Sequence, residues 1–354
     1  MPARRREAQG PSLALLRRLC MAVGVSGDEG EIRKIILDEL KPAPGEFRVD
    51  ALGNLLITRK SPGGRKLRVM LDAHMDEIGF MLVAESGDGL YEFETVGGVD
   101  EGGVAGKPVV VGRKHTPGVV GTKAIHLLSE DDLKRAIPKA SLRIDVGPGG
   151  KAAVGDRASY TPNFRRAGPS IMSKALDDRL GVSILIELLK RAPRNIELLA
   201  AFTVQEEIGL RGAQVAAKYF RPDLAIVIDA TPARDLPMQR EGENTFYNSR
   251  LGLGPAIYVS NSSTIDDPRL VRFMMDTARQ SKIPFQVRQP GGGGTDAGGI
   301  QRALHGIPVV SVSVPHRYPH TAISVARVDD WRNTYALLHA ALRRITPGIL
   351  RKDA

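Results

Sequence analysis

Apolar positions divide the chain into three stretches with different periodicities. In the first stretch, apolar residues recur at helical spacing over 13–21 and 29–40, and short apolar runs at 47–49, 54–58 and 67–71 predict strands. Two helices followed by strands are typical of the beginning of an α/β domain.

The middle stretch, from about residue 78 to 170, has a β-type pattern. Short apolar runs at 80–83, 109–111 and 142–146 are separated by glycine-rich turns, with one short helix predicted at 130–136. This stretch therefore predicts a separate β-rich insert.

Helices and strands alternate again after the insert, beginning with a helix that carries Leu180, Ile184, Leu185 and Leu188 on one face. The other elements predicted here are a strand at 198–204, a helix at 213–220, a strand at 224–228, a helix at 270–279, a glycine-rich loop at 291–294, a strand at 309–314, and a last helix with Trp331, Tyr335, Leu338 and Leu342 on one face. The alternation favours a mostly parallel sheet. The pattern as a whole predicts one α/β domain interrupted by a small β domain, and the length of 354 residues fits that organisation.

Composition restricts the chemistry that this chain can use. The single cysteine, Cys20, cannot form an internal disulfide, and its apolar-periodic surroundings predict a small buried side chain. Zinc ribbons and iron–sulfur sites are excluded, because they need several cysteines. Any metal must therefore be bound by histidines and carboxylates.

The formal charge of +10 raises the question of a nucleic-acid partner. The cations are dispersed, however, aromatic residues make up only 5%, and no nucleic-acid motif is present, so a solvated basic surface is the better interpretation. No apolar run approaches the ~20 residues needed to span a bilayer, and Arg17 and Arg18 interrupt the apolar stretch near the N-terminus. We expect a cytoplasmic protein without a membrane or nucleic-acid partner.

Charged and histidine side chains follow four of the predicted strands, and a fifth set begins a helix. Ligands bind beyond the carboxyl ends of strands in open α/β sheets, so these positions are candidates for a site. The five sets are Asp72, His74, Asp76 and Glu77; Glu206 and Glu207; Asp229; His316 and His320; and Asp177 with Asp178. Each set alone is a weak signal, because a carboxylate after a strand often caps a helix or lies in solvent. Together they favour a divalent metal site.

Adjacent Glu206 and Glu207 would point to opposite sides if they continued the strand, so that one could bind metal while the other acts as a base. Paired carboxylates also occur in glycosidases, but that hypothesis leaves the histidines unexplained. Asp76, two residues after His74, could accept the second imidazole N–H of a metal-bound histidine. A solvated turn residue is the alternative interpretation of Asp76.

Six sequence segments carry a family resemblance. They are AHMDEIGF (73–80), ALDDRLGV (175–182), TVQEEIGLRGA (203–213), VIDAT (227–231), GGGTDAGGI (292–300) and RYPH (317–320). In this order they resemble the motifs of the tetrahedral (TET) glutamyl-aminopeptidase family, whose members are co-catalytic metallopeptidases and are often called endoglucanases. A further segment, GVVGTKAIHLL (118–128), extends the resemblance into the insert.

The resemblance implies a role for each site residue. His74 and Asp229 would bind one divalent ion, Glu207 and His320 the other, and Asp177 would bridge both, with zinc or cobalt as the metal. Glu206 would be the general base. The peptide bond between Asp177 and Asp178 is expected to be cis, as it typically is in the family.

The implied activity is removal of N-terminal residues from short peptides by a water activated between two metals. The implied fold is α/β with a mixed sheet flanked by helices, as in zinc peptidases. Residues 1–76 and 171–354 would form the catalytic domain, and residues 77–170 would form a β-rich oligomerisation or lid domain. Members of the family form dimers that assemble into dodecamers, so a homo-oligomer is expected.

Two alternative functions remain open from the sequence. A deacylase could use the same metal pair on other amides, and a non-catalytic binding protein could retain the fold, although Glu206 beside a full ligand set argues against the latter. The roles of three residues are also open. His316 is interpreted as a loop or pocket residue, while Thr295 and Asp296 could either line the substrate cleft or cap a helix that begins at Ala297.

Overall fold

The computed structural model describes residues 10–63, 66–130, 135, 137–237, 249–288 and 293–351. Its helices are α1 (Leu13–Met21), α2 (Gly30–Leu40), α3 (Leu176–Lys190), α4 (Arg211–Phe220), α5 (Pro268–Ser281), α6 (Ala297–Gln301) and α7 (Val328–Arg344). Its strands are β1 (Glu46–Val49), β2 (Leu55–Arg59), β3 (Leu67–His74), β4 (Gly79–Gly87), β5 (Leu90–Val96), β6 (Pro108–Val111), β7 (Thr116–Gly121), β8 (Arg143–Asp145), β9 (Arg157–Tyr160), β10 (Phe164–Ala167), β11 (Ser170–Ser173), β12 (Ile196–Thr203), β13 (Leu224–Pro232), β14 (Ala256–Tyr258), β15 (Gln286–Arg288), β16 (Val309–Arg317) and β17 (Ser324–Arg327).

One large sheet has the strand order β1-β2-β12-β3-β13-β16-β17-β11-β10, and β14 and β15 join it beside β16. The central strands β12, β3, β13 and β16 are parallel. The end pairs β1–β2 and β10–β11 are antiparallel, because their short connections permit only that direction. The predicted mixed sheet flanked by helices is confirmed. The expectation of a mostly parallel sheet is correct only for the centre.

Helices cover both faces of this sheet, and alternate residues of one strand belong to different cores. Val69 and Leu71 of β3 pack in the core shared with α1, α2, α3, α5 and α7, whereas Met70 packs in the core shared with α4 and α6. Trp331 of α7 lies in the first core together with Cys20. The burial predicted for Cys20 is confirmed, and the apolar face predicted around Trp331 is buried as well.

The parallel centre brings the ends of four strands to one edge. Thr203 at the end of β12 lies opposite His74 at the end of β3, and Asp229 in β13 lies opposite Ser313 in β16. The residues that follow these strands must therefore converge beyond the same edge.

The strands β4-β5-β8-β7-β6-β9 close a small barrel with its own core. Phe80 lies edge-on to both Phe93 and Tyr160, with ring centroids 5.1 and 5.5 Å apart. The barrel strands run from Gly79 to Tyr160, and β10 already pairs within the large sheet.

Two expectations fall mainly on residues outside the described ranges. These are the helix at 130–136 and the first part of the glycine-rich loop at 291–294. In the part of the chain that the structure describes, no helix combines the length and apolar character required to cross a bilayer.

Candidate metal centre

The five side chains predicted as metal ligands converge beyond the edge of the sheet. His74 ends β3, Asp229 lies in β13, and Glu207 follows β12. Asp177 lies in the first turn of α3, and His320 follows β16. All five line one cleft of about 840 Å³.

These ligands form two groups that share Asp177. In the groups His74–Asp177–Asp229 and Asp177–Glu207–His320, one potential ligand atom per residue lies within 4.8 Å of the others. Nε2 of His74 is 3.0 Å from Oδ1 of Asp177 and 3.7 Å from Oδ1 of Asp229. Nε2 of His320 is 3.3 Å from Oε2 of Glu207 and 4.0 Å from Oδ2 of Asp177. A carboxylate shared by two such groups is the arrangement that a bridged pair of ions needs.

The charges in the cleft fit bound cations. Asp177, Glu206, Glu207 and Asp229 gather in one cleft, and within the described residues their ion-pair partners are histidines only. Carboxylates buried together repel one another and are stable only when paired or bound to metal. The set of imidazole and carboxylate donors is suited to zinc and related divalent ions.

The pKa values of the carboxyl groups reflect this crowding. Burial raises the pKa of Glu206 well above its usual range, and the carboxylate of Asp296 adds to the increase. Burial also raises the pKa of Glu207 and of Asp229, and in both cases the charge of Asp177 adds to the effect. Removal of positive charge from this cleft would therefore favour protonated carboxyl groups.

The pKa shifts of Asp177 and His74 favour the charged form of each side chain. Burial disfavours the charged form of each. The carboxylates of Asp177, Asp229 and Asp76 together outweigh burial and raise the pKa of His74. The imidazoles of His74, His316 and His320 together outweigh it and lower the pKa of Asp177. The contacts of Asp177 with the histidines therefore favour its ionised form. The expected cis peptide bond between Asp177 and Asp178 is present.

Asp76 is placed behind the site. Its Oδ1 accepts a hydrogen bond from the backbone N–H of Glu206 at 3.0 Å, and its Oδ2 accepts from that of Glu207 at 3.1 Å and from the hydroxyl of Ser26 at 2.6 Å. Oδ1 also lies 3.5 Å from Nδ1 of His74. Asp76 is fully buried, so the solvated alternative is wrong.

Glu206 and Glu207 do not continue β12. The strand ends at Thr203, and Gln205 has a φ of +58°, which turns the chain into a loop. The two side chains are therefore not directed to opposite sides by the alternation of a strand, as they would be if β12 continued through them. Both side chains line the same cleft, and Asp76 binds the backbone of both residues.

The barrel contributes one contact to the site that sequence reasoning missed. The carbonyl oxygen of Gly98, in the segment after β5, lies 3.1 Å from Nδ1 of His320. A Cβ atom at Gly98 would lie 2.9 Å from the same nitrogen. The consecutive glycines at 97–98 were the available signal, because a glycine is often needed where backbone approaches another group closely.

A second missed feature is a buried charge cluster around Glu77. The Glu77 carboxylate lies 2.8 Å from Nζ of Lys174 and 3.0 Å from a guanidinium nitrogen of Arg179. It also accepts hydrogen bonds from the N–H of Gly24 and the hydroxyl of Ser159. This cluster joins the residue after Asp76, the first turns of α3, and strand β9 of the barrel.

The three undecided residues occupy buried positions. His316 lies within β16 rather than in a loop, with Nε2 3.8 Å from Oδ2 of Asp177, and burial lowers its pKa to about 4. Thr295 accepts a hydrogen bond from the N–H of Ala297 at 3.3 Å, whereas Asp296, at the N-cap of this helix, makes no capping hydrogen bond with its side chain. Asp296 accepts a hydrogen bond from the hydroxyl of Thr203 at 2.7 Å.

The chain is similar to known peptidases over most of its length. Residues 53–337 match the M42 glutamyl aminopeptidase family. A putative aminopeptidase of Acetivibrio thermocellus is 35% identical over 335 residues, which cover 93% of this chain and 97% of the relative.

Solved structures show the same similarity. A TET aminopeptidase from a marine-sediment archaeon of the Thaumarchaeota aligns with a TM-score of 0.90 and 30% identity, covering 95% of this chain and 97% of that one. The TET1 peptidase of Pyrococcus horikoshii, which can assemble into a tetrahedron or a large octahedral shell, aligns with a TM-score of 0.82 and 31% identity, covering 94% and 99%.

Proposed function

The chain belongs to the M42 glutamyl aminopeptidase family and is an aminopeptidase; from that premise we propose that it removes N-terminal residues from short peptides with a water activated between two divalent metal ions. The observation that carries the proposal is the pair of ligand groups that share Asp177. A single-metal site would not need the second group, which contains Glu207 and His320.

His74 and Asp229 would hold one ion, Glu207 and His320 the other, and Asp177 both. These donors are suited to zinc or cobalt. When bound, the two ions supply Lewis acidity to a water molecule and to the scissile carbonyl.

Glu206 is the general base in this proposal. Its carboxylate accepts a proton from the attacking water and then returns that proton to the leaving amine as the peptide C–N bond breaks. It lines the same cleft as the five ligands. The hydrogen bond from its backbone to Asp76 holds the loop in which it lies.

Asp76 is a positioning residue rather than a reacting group. Its carboxylate faces Nδ1 of His74, so it favours the tautomer in which Nε2 is the free donor atom for metal. On the other side of the site, the carbonyl of Gly98 can accept the Nδ1 proton of His320 in the same way.

We also propose that the protein is cytoplasmic and that it forms a homo-oligomer. The single cysteine is buried and forms no disulfide, as is usual for a chain kept in a reducing compartment. The predicted insert, residues 77–170, which contains the barrel, would serve as the assembly or lid domain. The similarity to a shell-forming peptidase over 94% of the chain supports an assembly larger than a monomer.

The test is a substrate panel assayed with chelated protein and with protein reloaded with zinc or cobalt. Aminoacyl anilides should be hydrolysed only after reloading, and elemental analysis should find about two ions per chain. Hydrolysis of N-acylated amino acids instead of aminoacyl anilides would favour a deacylase. Metal binding without hydrolysis of either class would favour a binding protein.

A further inference from the structure

A second cleft of about 670 Å³ adjoins the metal cleft. The two clefts share Asp100, His320 and Thr321, so His320 stands at the boundary between them. The barrel supplies Lys107 to the second cleft, and the segment leading into the large sheet supplies Arg165. Its volume is within the range of ~300–1,000 Å³ that is common for small-ligand sites.

The two clefts differ in charge. Five carboxylates and two arginines line the metal cleft, namely Asp100, Asp177, Glu206, Glu207, Asp229, Arg234 and Arg288. The second cleft contains two cations, Lys107 and Arg165, and one carboxylate, Asp100, which lies at the boundary. The excess of cations in the second cleft is complementary to the negatively charged C-terminus of a short peptide whose N-terminus lies at the metal centre.

Both cations are available for a ligand. Lys107 and Arg165 are exposed. Among the described residues, the ammonium group of Lys107 has no hydrogen bond or ion pair. The Arg165 guanidinium donates a 3.3 Å hydrogen bond to Oδ1 of Asn163. A carboxylate could therefore bind here without disrupting an existing ion pair.

We propose that the second cleft binds the part of the peptide that follows the scissile bond, and that Lys107 and Arg165 pair with the C-terminal carboxylate of substrates a few residues long. This inference rests on the proposed aminopeptidase function. The N-terminal residue occupies the metal cleft, and the rest of the peptide passes His320 toward the two cations. Longer peptides would place their C-termini beyond the cleft and lose this contact.

The experiment compares three substrates of the metal-loaded protein that share one N-terminal residue. They are a tripeptide with a free C-terminal carboxylate, the same tripeptide with a C-terminal amide, and an aminoacyl anilide. We expect a lower KM for the free acid than for the amide at similar kcat, because the carboxylate is remote from the reacting bond. Each cation should contribute about two- to fivefold, as exposed ion pairs do.

The variants are K107M, R165M and the double variant, with R166M as the matched control. Arg166 is also exposed in β10 and, as the next residue in the strand, points to the opposite face. The double variant should hydrolyse acid and amide with equal KM and leave anilide hydrolysis unchanged, while R166M should behave as wild type.

Equal KM values for acid and amide in the wild type would overturn the inference. So would an equal loss of anilide hydrolysis in the double variant, because the cations would then act on the metal site itself. No hydrolysis of the anilide by metal-loaded wild type would be a different result: it would contradict the proposed function, and the inference with it.

Discussion

Both carboxylate oxygens of Glu77 lie 2.8 Å from the ammonium group of Lys174, at a place where neither side chain reaches solvent. Glu77 comes directly after Asp76, and Lys174 precedes Asp177 by three residues. The ion pair therefore connects the two segments that carry three of the proposed site residues. Arg179 and Ser159 bind the same carboxylate, so the barrel is joined to the metal centre through it.

Replacement of Glu77 by Gln should strongly destabilise the fold. The substitution leaves Lys174 and Arg179 as buried cations without a countercharge, which typically costs about 3–5 kcal/mol. Urea denaturation of wild type and E77Q would measure the difference. E46Q is the control, because the Glu46–Lys60 pair is exposed and should contribute less than about 1 kcal/mol. Equal small losses for both variants would contradict the role assigned to Glu77.

The same carboxylate should make stability depend on pH in acid. Burial alone would raise the pKa of Glu77, but Lys174 and Arg179 outweigh burial, so its folded-state pKa is lowered. The unfolded chain then binds a proton more readily than the folded one, and stability rises with pH. This contribution is fully present above the ordinary glutamate pKa of ~4.3 and is lost as pH falls through the lower folded value.

The measurement for this pH effect is the free energy of unfolding of metal-free protein between about pH 3 and pH 6. Other carboxyl groups also titrate there, so the informative quantity is the difference between wild type and E77Q. That difference should shrink toward acid pH. A difference that is constant over the whole range would show that Glu77 is not the titrating group.

Replacement of Glu206 by Gln should separate metal binding from turnover. Glutamine keeps the size of the side chain but cannot accept the proton from water, so we expect a loss of about 10²- to 10⁴-fold in kcat. The five proposed ligands are unchanged, and elemental analysis should find as many ions as in the wild type. A rate close to wild type would remove Glu206 as the base.

Replacement of Gly98 by Ala should weaken binding of the ion assigned to Glu207 and His320. The added Cβ would lie 2.9 Å from Nδ1 of His320 and would displace the imidazole or the carbonyl that supports it. Loss of such support typically lowers metal affinity by about 10- to 100-fold. Titration with zinc or cobalt would measure the affinity of each of the two ions.

G121A is the matched control for Gly98. Gly121 also lies in the barrel, and a Cβ there would meet its nearest neighbour at an ordinary 3.6 Å. Metal affinity should remain at the wild-type value in this variant. An equal loss of affinity in G98A and G121A would indicate a general effect on the barrel rather than a contact with His320.

The sequence predicted the central helices and strands and the residues that the structure brings together beyond the sheet edge. Apolar periodicity predicted α1 and the buried face of α7, because side-chain spacing within a helix or strand depends only on nearby residues. Residues that directly follow buried strands, such as His74 and Asp229, could be selected because parallel strands end at one edge. The ordered motifs added the family and the implied role of each residue.

Only the tertiary structure decided which groups meet. The contacts of Glu77 with Lys174, of Gly98 with His320, and of Asp76 with Glu206 join residues about 100 or more positions apart. The last pair also shows a local limit, because the turn at Gln205 replaced the strand geometry that adjacent glutamates alone suggested. Strand order and the placement of the barrel set these distances. The periodicity of apolar residues does not determine either of them, because it shows which face of an element is buried but not which element packs against that face.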